Sequence, residues 1–303
     1  LIFVGFFMIV YNNGVYCPLM QAAVSVQDRG YQFGDGVYEV IHYTDHHGVD
    51  EDWHLDRLGY SLAQIQIPWP MSANALRQCI RQVRLKNNLS TVNIYISITR
   101  GVPVTRDFAF PKQFCPPVLT IIPYRHKPVS EGLRTKGMAV ITAPDLRWGR
   151  CDIKAIALLA PSMAKQSATE AGADDVWMVD DQGFITEGSS CNAFMVTQAG
   201  EILTRPPSHA ILKGITRTRL MTLAKEAGFT VTERPFALSE LKEAAEAFIT
   251  RTTGFVISVT RVDQHPVGAG CPGLVTQNLL SLYETFVQEQ KHGRFADTTC
   301  FAV

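Results

Sequence analysis

Residues 28–40 read DRGYQFGDGVYEV. Gly30, Gly34 and Gly36 alternate there with Tyr31, Phe33 and Tyr38. Glycine admits backbone conformations closed to other residues, so the stretch predicts a tight turn leading into a buried strand. A glycine-rich hairpin with core aromatics and no chemistry would read the same way. Outward from it the patterns are clearer. Met8 followed by IVYNNG predicts a strand and a turn. Val92, Ile94, Ile96 and Ile98 alternate with polar or aromatic residues, the period of a half-buried strand. Leu76, Cys79, Ile80 and Val83 form one apolar stripe of a helix, and a second helix is expected over Trp53–Ile65. IPWP at 67–70 separates the two.

The irregular stretch PDLRWGR (144–150) is the expected linker between a small N-terminal α/β domain (8–143) and a larger domain (151–291). In the latter, a helix over Ser162–Ala171 precedes strands at Val176–Val179, Phe184–Glu187 and Ala193–Thr197. Helices follow at about 215–227, 238–246 and 273–290. Strands and helices mix without a βαβ rhythm, which predicts a two-domain α+β fold. Residues 1–7 are expected to be an extension ahead of Met8, and 292–303 a loose tail.

The 303 residues carry 28 basic and 28 acidic side chains, so the chain is neutral and lacks a field for nucleic acid. With 46% hydrophobic and 18% charged residues it has a globular composition. The opening apolar run LIFVGFFMIVY is too short for a membrane span. Seven scattered cysteines without CxxC spacing and eight histidines without ligand spacing predict neither disulfides nor a metal site, and point to the cytoplasm. His46–His47 reads as a hairpin tip. Neither GxGxxG nor GxxxxGK[ST] occurs.

Three further segments have chemical potential. In DIKAIALL (152–159), Lys154 enters an apolar run. Desolvation there would lower its pKa and free the amine as a nucleophile, although most such lysines simply reach back to water. In FITEGSSCNAF (184–194), Glu187 stands where a strand yields to a small-residue turn, as an ordinary edge glutamate also would. In LKGITRTRL (212–220), Gly214 opens a helix whose first N–H groups, with the Thr216 hydroxyl, suit a phosphate or serve plain capping.

Taken in order, DRGYQFGDGVYEV, DIKAIALL, AKQSATEAGADD, TEGSSCNAF and GITRTR resemble the fold type IV family of pyridoxal-phosphate enzymes, in particular its D-amino-acid transaminase branch. The resemblance spans nearly all of 8–290. It implies transamination between a D-amino acid such as D-alanine and a 2-oxo acid such as 2-oxoglutarate, in a cytoplasmic homodimer with pyridoxal 5'-phosphate as cofactor. By the same resemblance, Lys154 forms the internal aldimine and shuttles the α-proton, and Glu187 pairs with the pyridine nitrogen. Arg57, Ile215, Thr216 and Thr252 hold the cofactor phosphate, while Tyr31 and Arg106 hold the substrate carboxylate.

The chain departs from the family pattern at three places. The loop TRGVPVTRDFAFP (99–111) carries Phe108 where the family often has histidine, so one carboxylate contact is missing. Arg251 replaces a small hydroxyl residue before Thr252, and is expected to touch phosphate or to take over carboxylate binding. Cys191 replaces a serine. These changes keep open an (R)-amine transaminase, a branched-chain L-amino-acid transaminase or aminodeoxychorismate lyase. A non-catalytic protein retaining the fold is the alternative from another class.

Overall fold

The computed structural model describes residues 8–292. The extension at 1–7 and nearly all of the expected tail lie outside the described residues. The chain forms two units, and each has its own sheet and core.

The first unit spans the described residues up to His126, together with Ile153–Ala157. Its strands are β1 (Ile9–Asn12), β2 (Val15–Pro18), β3 (Gly36–Thr44), β4 (His47–Gly48), β5 (Val92–Thr99) and β6 (Val118–Arg125). They form one sheet in the order β2-β1-β6-β5-β3-β4, and every pairing is antiparallel. Asp45 and His46 turn the β3–β4 hairpin in the left-handed region, so the histidine pair does sit at a hairpin tip.

DRGYQF does not stay a bare turn. It winds into a short helix α1 (Arg29–Phe33), started by Asp28, whose side chain accepts from the Gly30 N–H, and stopped by Gly34 at φ 68°. Helices α2 (Glu51–Gln64) and α3 (Ala73–Lys86) cover one face of the sheet. Leu58, Leu62, Leu76, Ile80 and Val83 pack there against Val92, Ile94, Ile96 and Ile98. Each such fully buried side chain contributes roughly 1.5–3 kcal/mol relative to exposure. Alternation in β5 and the helical stripe of α3 therefore meet in one core.

The second unit spans Lys127–Asp152 and the described residues from Leu158 onward. After α4 (Glu131–Lys136) come β7 (Met138–Pro144), α5 (Leu159–Glu170), β8 (Asp175–Val179), β9 (Ile185–Gly188), β10 (Asn192–Val196) and β11 (Ile202–Thr204). The chain continues through α6 (Ile215–Glu226), β12 (Val231–Glu233), β13 (Glu246–Arg251), β14 (Phe255–Val262), β15 (His265–Pro266) and α7 (Leu274–Lys291). The nine strands make one mixed sheet, with β10, β13, β14 and β7 at its centre. One face of that centre carries Ala193, Met195, Ala247, Ile249, Ile257 and Val259. On the other, Phe194 and Phe248 stack at 4.6 Å.

Two expectations are corrected. The division falls at His126/Lys127 and not at 144–150, because β7 pairs in parallel with both β8 and β14 and so belongs to the second sheet. Residues 153–157 return to the first unit, where Ala155 bridges Val37. The helix expected at 238–246 is a 3-10 turn over Glu240–Glu243, followed by β13. Ala, Glu and Lys favour a helix there, but pairing of β13 with β10 and β14 overrides that local preference.

Candidate active site

In the first unit, main-chain bonds to β3 fix the segment carrying Lys154. The Tyr38 N–H donates to the Lys154 carbonyl (2.9 Å) and the Ile156 N–H to the Gly36 carbonyl (3.1 Å). Ile153 enters the core beside it, and the Lys154 N–H donates to Ser61 Oγ (3.2 Å). The side chain is half-buried, less enclosed than the apolar run implied. Its Nζ lies 4.3 Å from the centre of the Tyr38 ring, and among the described residues it has neither an ion-pair nor a hydrogen-bond partner. Such an amine is held in place without being neutralised by a carboxylate.

Arg57 is buried on α2 and grips Glu39 of β3 with two bonds, Nε to Oε2 (2.9 Å) and Nη2 to Oε1 (2.7 Å). His54 Nδ1 lies 3.0 Å from the same carboxylate. Burial opposes a charge on Glu39, but the charges of Arg57 and His54 win and hold its carboxyl far below the usual range. The bidentate face of Arg57 is thus directed at an internal carboxylate. Tyr31 is exposed on α1. Arg106 has no ion pair or hydrogen bond among the described residues, and its guanidinium lies 4.7 Å from the Phe33 ring and 5.7 Å from that of Phe108.

In the second unit, Glu187 lies in β9 and is buried. Its carboxylate accepts from Arg147 Nη1, from Asn192 Nδ2 (3.0 Å) and from the Leu212 N–H (3.2 and 3.3 Å to its two oxygens). Arg147 is anchored by Asp145 through Nε (2.8 Å) and Nη2 (2.6 Å). Burial works against both charges of that pair. Their mutual bonds nevertheless hold Asp145 below, and Arg147 above, their ordinary values.

Asn192 also donates to the Leu212 carbonyl (2.9 Å), which draws the chain before α6 against β10. A Cβ on Gly214 would come within 2.0 Å of Asn192 Oδ1, so only glycine fits. Gly214 caps α6 without a side chain. The N–H groups of Ile215 and Thr216 have no partner within the helix, and Thr216 is buried. Opposite Asn192 in the sheet register is Thr250, whose Oγ1 is buried without a hydrogen-bond partner among the described residues.

Thr252 lies half-buried in the turn that follows β13. Arg251 is half-buried too, and its Nε is buried without a hydrogen bond among the described residues, close against Gly254. Cys191 is in the second core, 3.7 Å from Asp175 Oδ2, and burial pushes its thiol well up.

Sequence reasoning missed Glu39, Arg147, Asn192 and Tyr38. Arg147 lay in plain view in PDLRWGR, a stretch read as linker because it lacks periodicity. A charged residue in an irregular segment that precedes a nucleophile motif was the available signal.

The class IV aminotransferase family model matches residues 36–262. D-alanine aminotransferase of Bacillus licheniformis is 38% identical over 272 residues, covering 90% of this chain and 94% of that protein. The enzyme of the same name from Listeria monocytogenes serotype 4b is 36% identical, covering 88% and 91%. Among solved structures, the branched-chain amino acid aminotransferase of Escherichia coli aligns with a TM-score of 0.82 at 26% identity, covering 96% of this chain and 95% of that one. The branched-chain aminotransferase of Thermoproteus uzoniensis, solved with norvaline, shares the fold with a TM-score of 0.82 at 23% identity, covering 95% and 97%. The α+β, two-unit, fold type IV expectation is met, and this chain is a member of the class IV aminotransferase family.

Proposed function

We propose that this aminotransferase exchanges the amino group of a D-amino acid such as D-alanine with the oxo group of a 2-oxo acid such as 2-oxoglutarate, using pyridoxal 5'-phosphate. The observation that carries the substrate class is the 38% identity to a D-alanine aminotransferase over nine-tenths of the chain. The residues fit the cofactor. The N-terminus of α6, without a side-chain cap, offers Ile215 and Thr216 donors. Thr250 adds a buried hydroxyl without a partner among the described residues, and Glu187 is a buried carboxylate backed by a cation.

When bound, pyridoxal phosphate supplies an aldehyde that captures amines and a ring that takes up the electron pair left by a departing α-proton. Lys154 would contribute the amine that meets this aldehyde, and its Nζ, when free, would accept and give back a proton as general base and acid. Glu187 is oriented by Arg147, Asn192 and Leu212, and would hold a proton on the ring nitrogen of the bound cofactor. Ile215, Thr216, Thr252 and Arg57 bind phosphate. Arg57 does so from a guanidinium that Glu39 keeps in one orientation. Arg106, with Tyr31, binds the substrate carboxylate. The working form is taken to be a cytoplasmic homodimer, for which sedimentation provides a check.

Branched-chain chemistry is the second reading, favoured by the Escherichia coli structure above. Adding D-alanine, L-leucine or (R)-1-phenylethylamine to the loaded enzyme while following its visible absorbance separates the readings. Conversion by D-alanine is the expected result. Conversion by L-leucine and not D-alanine overturns it.

A further inference from the structure

The loop at 101–117, which carries Arg106, is mostly exposed, and a loop this long needs something to fix it. Arg29, the buried first residue of α1, reaches that loop from beneath. Its Nη1 donates to the carbonyls of Asp107 (2.5 Å) and Ala109 (3.3 Å), and its Nη2 to the carbonyl of Phe108 (3.2 Å). The third nitrogen, Nε, donates to Asp35 Oδ2 (2.7 Å). One guanidinium therefore takes three successive carbonyls while its remaining edge is tied to a carboxylate.

Asp35 is fixed in turn. Arg100 donates to it through Nε (2.7 Å) and Nη2 (2.9 Å), and also caps the Gln66 and Ile65 carbonyls (3.1 and 2.6 Å). Phe110 lies over Arg100, with its ring centre 3.6 Å from the guanidinium carbon. Immediately before the clasped carbonyls stands Arg106, with Phe33 of α1 and Phe108 about it and the two rings 5.4 Å apart.

We infer that Arg29 is a positioning residue for substrate recognition: by clasping the 107–109 carbonyls it sets where Arg106 presents its charge, with Phe33 and Phe108 steadying that guanidinium. The inference rests on the reading of Arg106 as the carboxylate-binding group. It gives Phe108 a part that histidine would fill differently. The aromatic ring donates no hydrogen bond to a carboxylate and instead stacks on the cation that does.

Lysine at position 29 keeps a cation for Asp35 but cannot fork to three carbonyls, and Arg100 still pairs Asp35, so the fold has support in that variant. Arg29→Lys and Arg29→Gln are made in the full chain loaded with pyridoxal phosphate. Amide hydrogen exchange over 102–114 is then compared with exchange in β5 and β6, alongside kinetics on D-alanine and (R)-1-phenylethylamine. The expected result is exchange in 102–114 faster by about tenfold with β5 and β6 unchanged. The KM for D-alanine should rise about tenfold while kcat and the rate with the amine move little. Unchanged exchange in 102–114, or a rise shared equally by β5 and β6, overturns the clasp. If Arg106→Ala leaves the KM for D-alanine unaltered, the carboxylate reading fails, and loop exchange alone still decides whether Arg29 fixes the loop.

Discussion

Two buried glutamates, one in each unit, are both paired with arginine, yet their surroundings differ. Glu39 is wholly enclosed, and its carboxylate meets Arg57, His54 and the following N–H at Val40. Glu187 shares its oxygens among Arg147, the Asn192 amide and the Leu212 N–H, and Arg147 is already satisfied by Asp145. In the first case the carboxylate orients an arginine. In the second, an arginine and an amide orient the carboxylate. The same ion pair thus serves opposite ends, and what distinguishes them is which partner has a second anchor.

Substitutions break this contrast in a definite order. Glu187→Gln keeps the shape and the Asn192 and Leu212 neighbours but removes the charge, so kcat should fall about 10³-fold, or ~4 kcal/mol in the barrier. Stability should change little, because Arg147 retains Asp145. Steady-state kinetics together with a urea titration check both halves. Glu39→Gln should show the reverse balance. It takes the charge from the carboxylate that Arg57 grips and should cost about 3 kcal/mol of stability, visible as a lower urea midpoint, with phosphate affinity weakened and the proton transfer itself unchanged.

A pH titration sharpens the contrast further, since the first unit also holds a histidine kept neutral. His42 is buried beside Asn93, His126 and His54, and burial pushes it down to about 4 from 6.5. The unfolded chain therefore takes up the proton first on acidification. Stability from this site is present above pH 6.5, is lost as the pH falls toward 4, and levels off below. The loss is at most about 3 kcal/mol. Urea midpoints of wild type and His42→Gln should converge as the pH drops through that window, and parallel curves would remove His42 from the account. The smallest effect is on Arg106→Ala, which should raise the KM for D-alanine about tenfold and leave amines without a carboxylate unaffected.

Much of the frame was legible from local pattern. Alternation at 92–98 and the stripe Leu76–Val83 report burial directly, because each repeats with the period of its own element. Gly214 announced a helix start because a bare cap and a close approach both demand glycine. Residues 238–251 were not legible: the stretch beginning LSELKEAAEAF has helical composition, yet it makes only a 3-10 turn over Glu240–Glu243, and the strands on either side of β13 make it extended from Glu246. The boundary was misplaced for a related reason, since β7 joins strands far along the chain. Lys154 and Glu187 stood out through motif wording. Arg147 reaches Glu187 across 40 residues and Arg29 reaches Ala109 across 80, relations that no local window contains, whereas Asn192 stands only 5 residues from Glu187 and lacks a pattern of its own.

The central claim is that the side-chain nitrogen of Lys154 carries the cofactor. Borohydride reduction of the loaded protein, digestion and mass mapping test it directly. A phosphopyridoxyl mass on the peptide containing Asp152–Leu159, lost in Lys154→Ala, is the predicted result. The label on any other lysine, or on none, contradicts it.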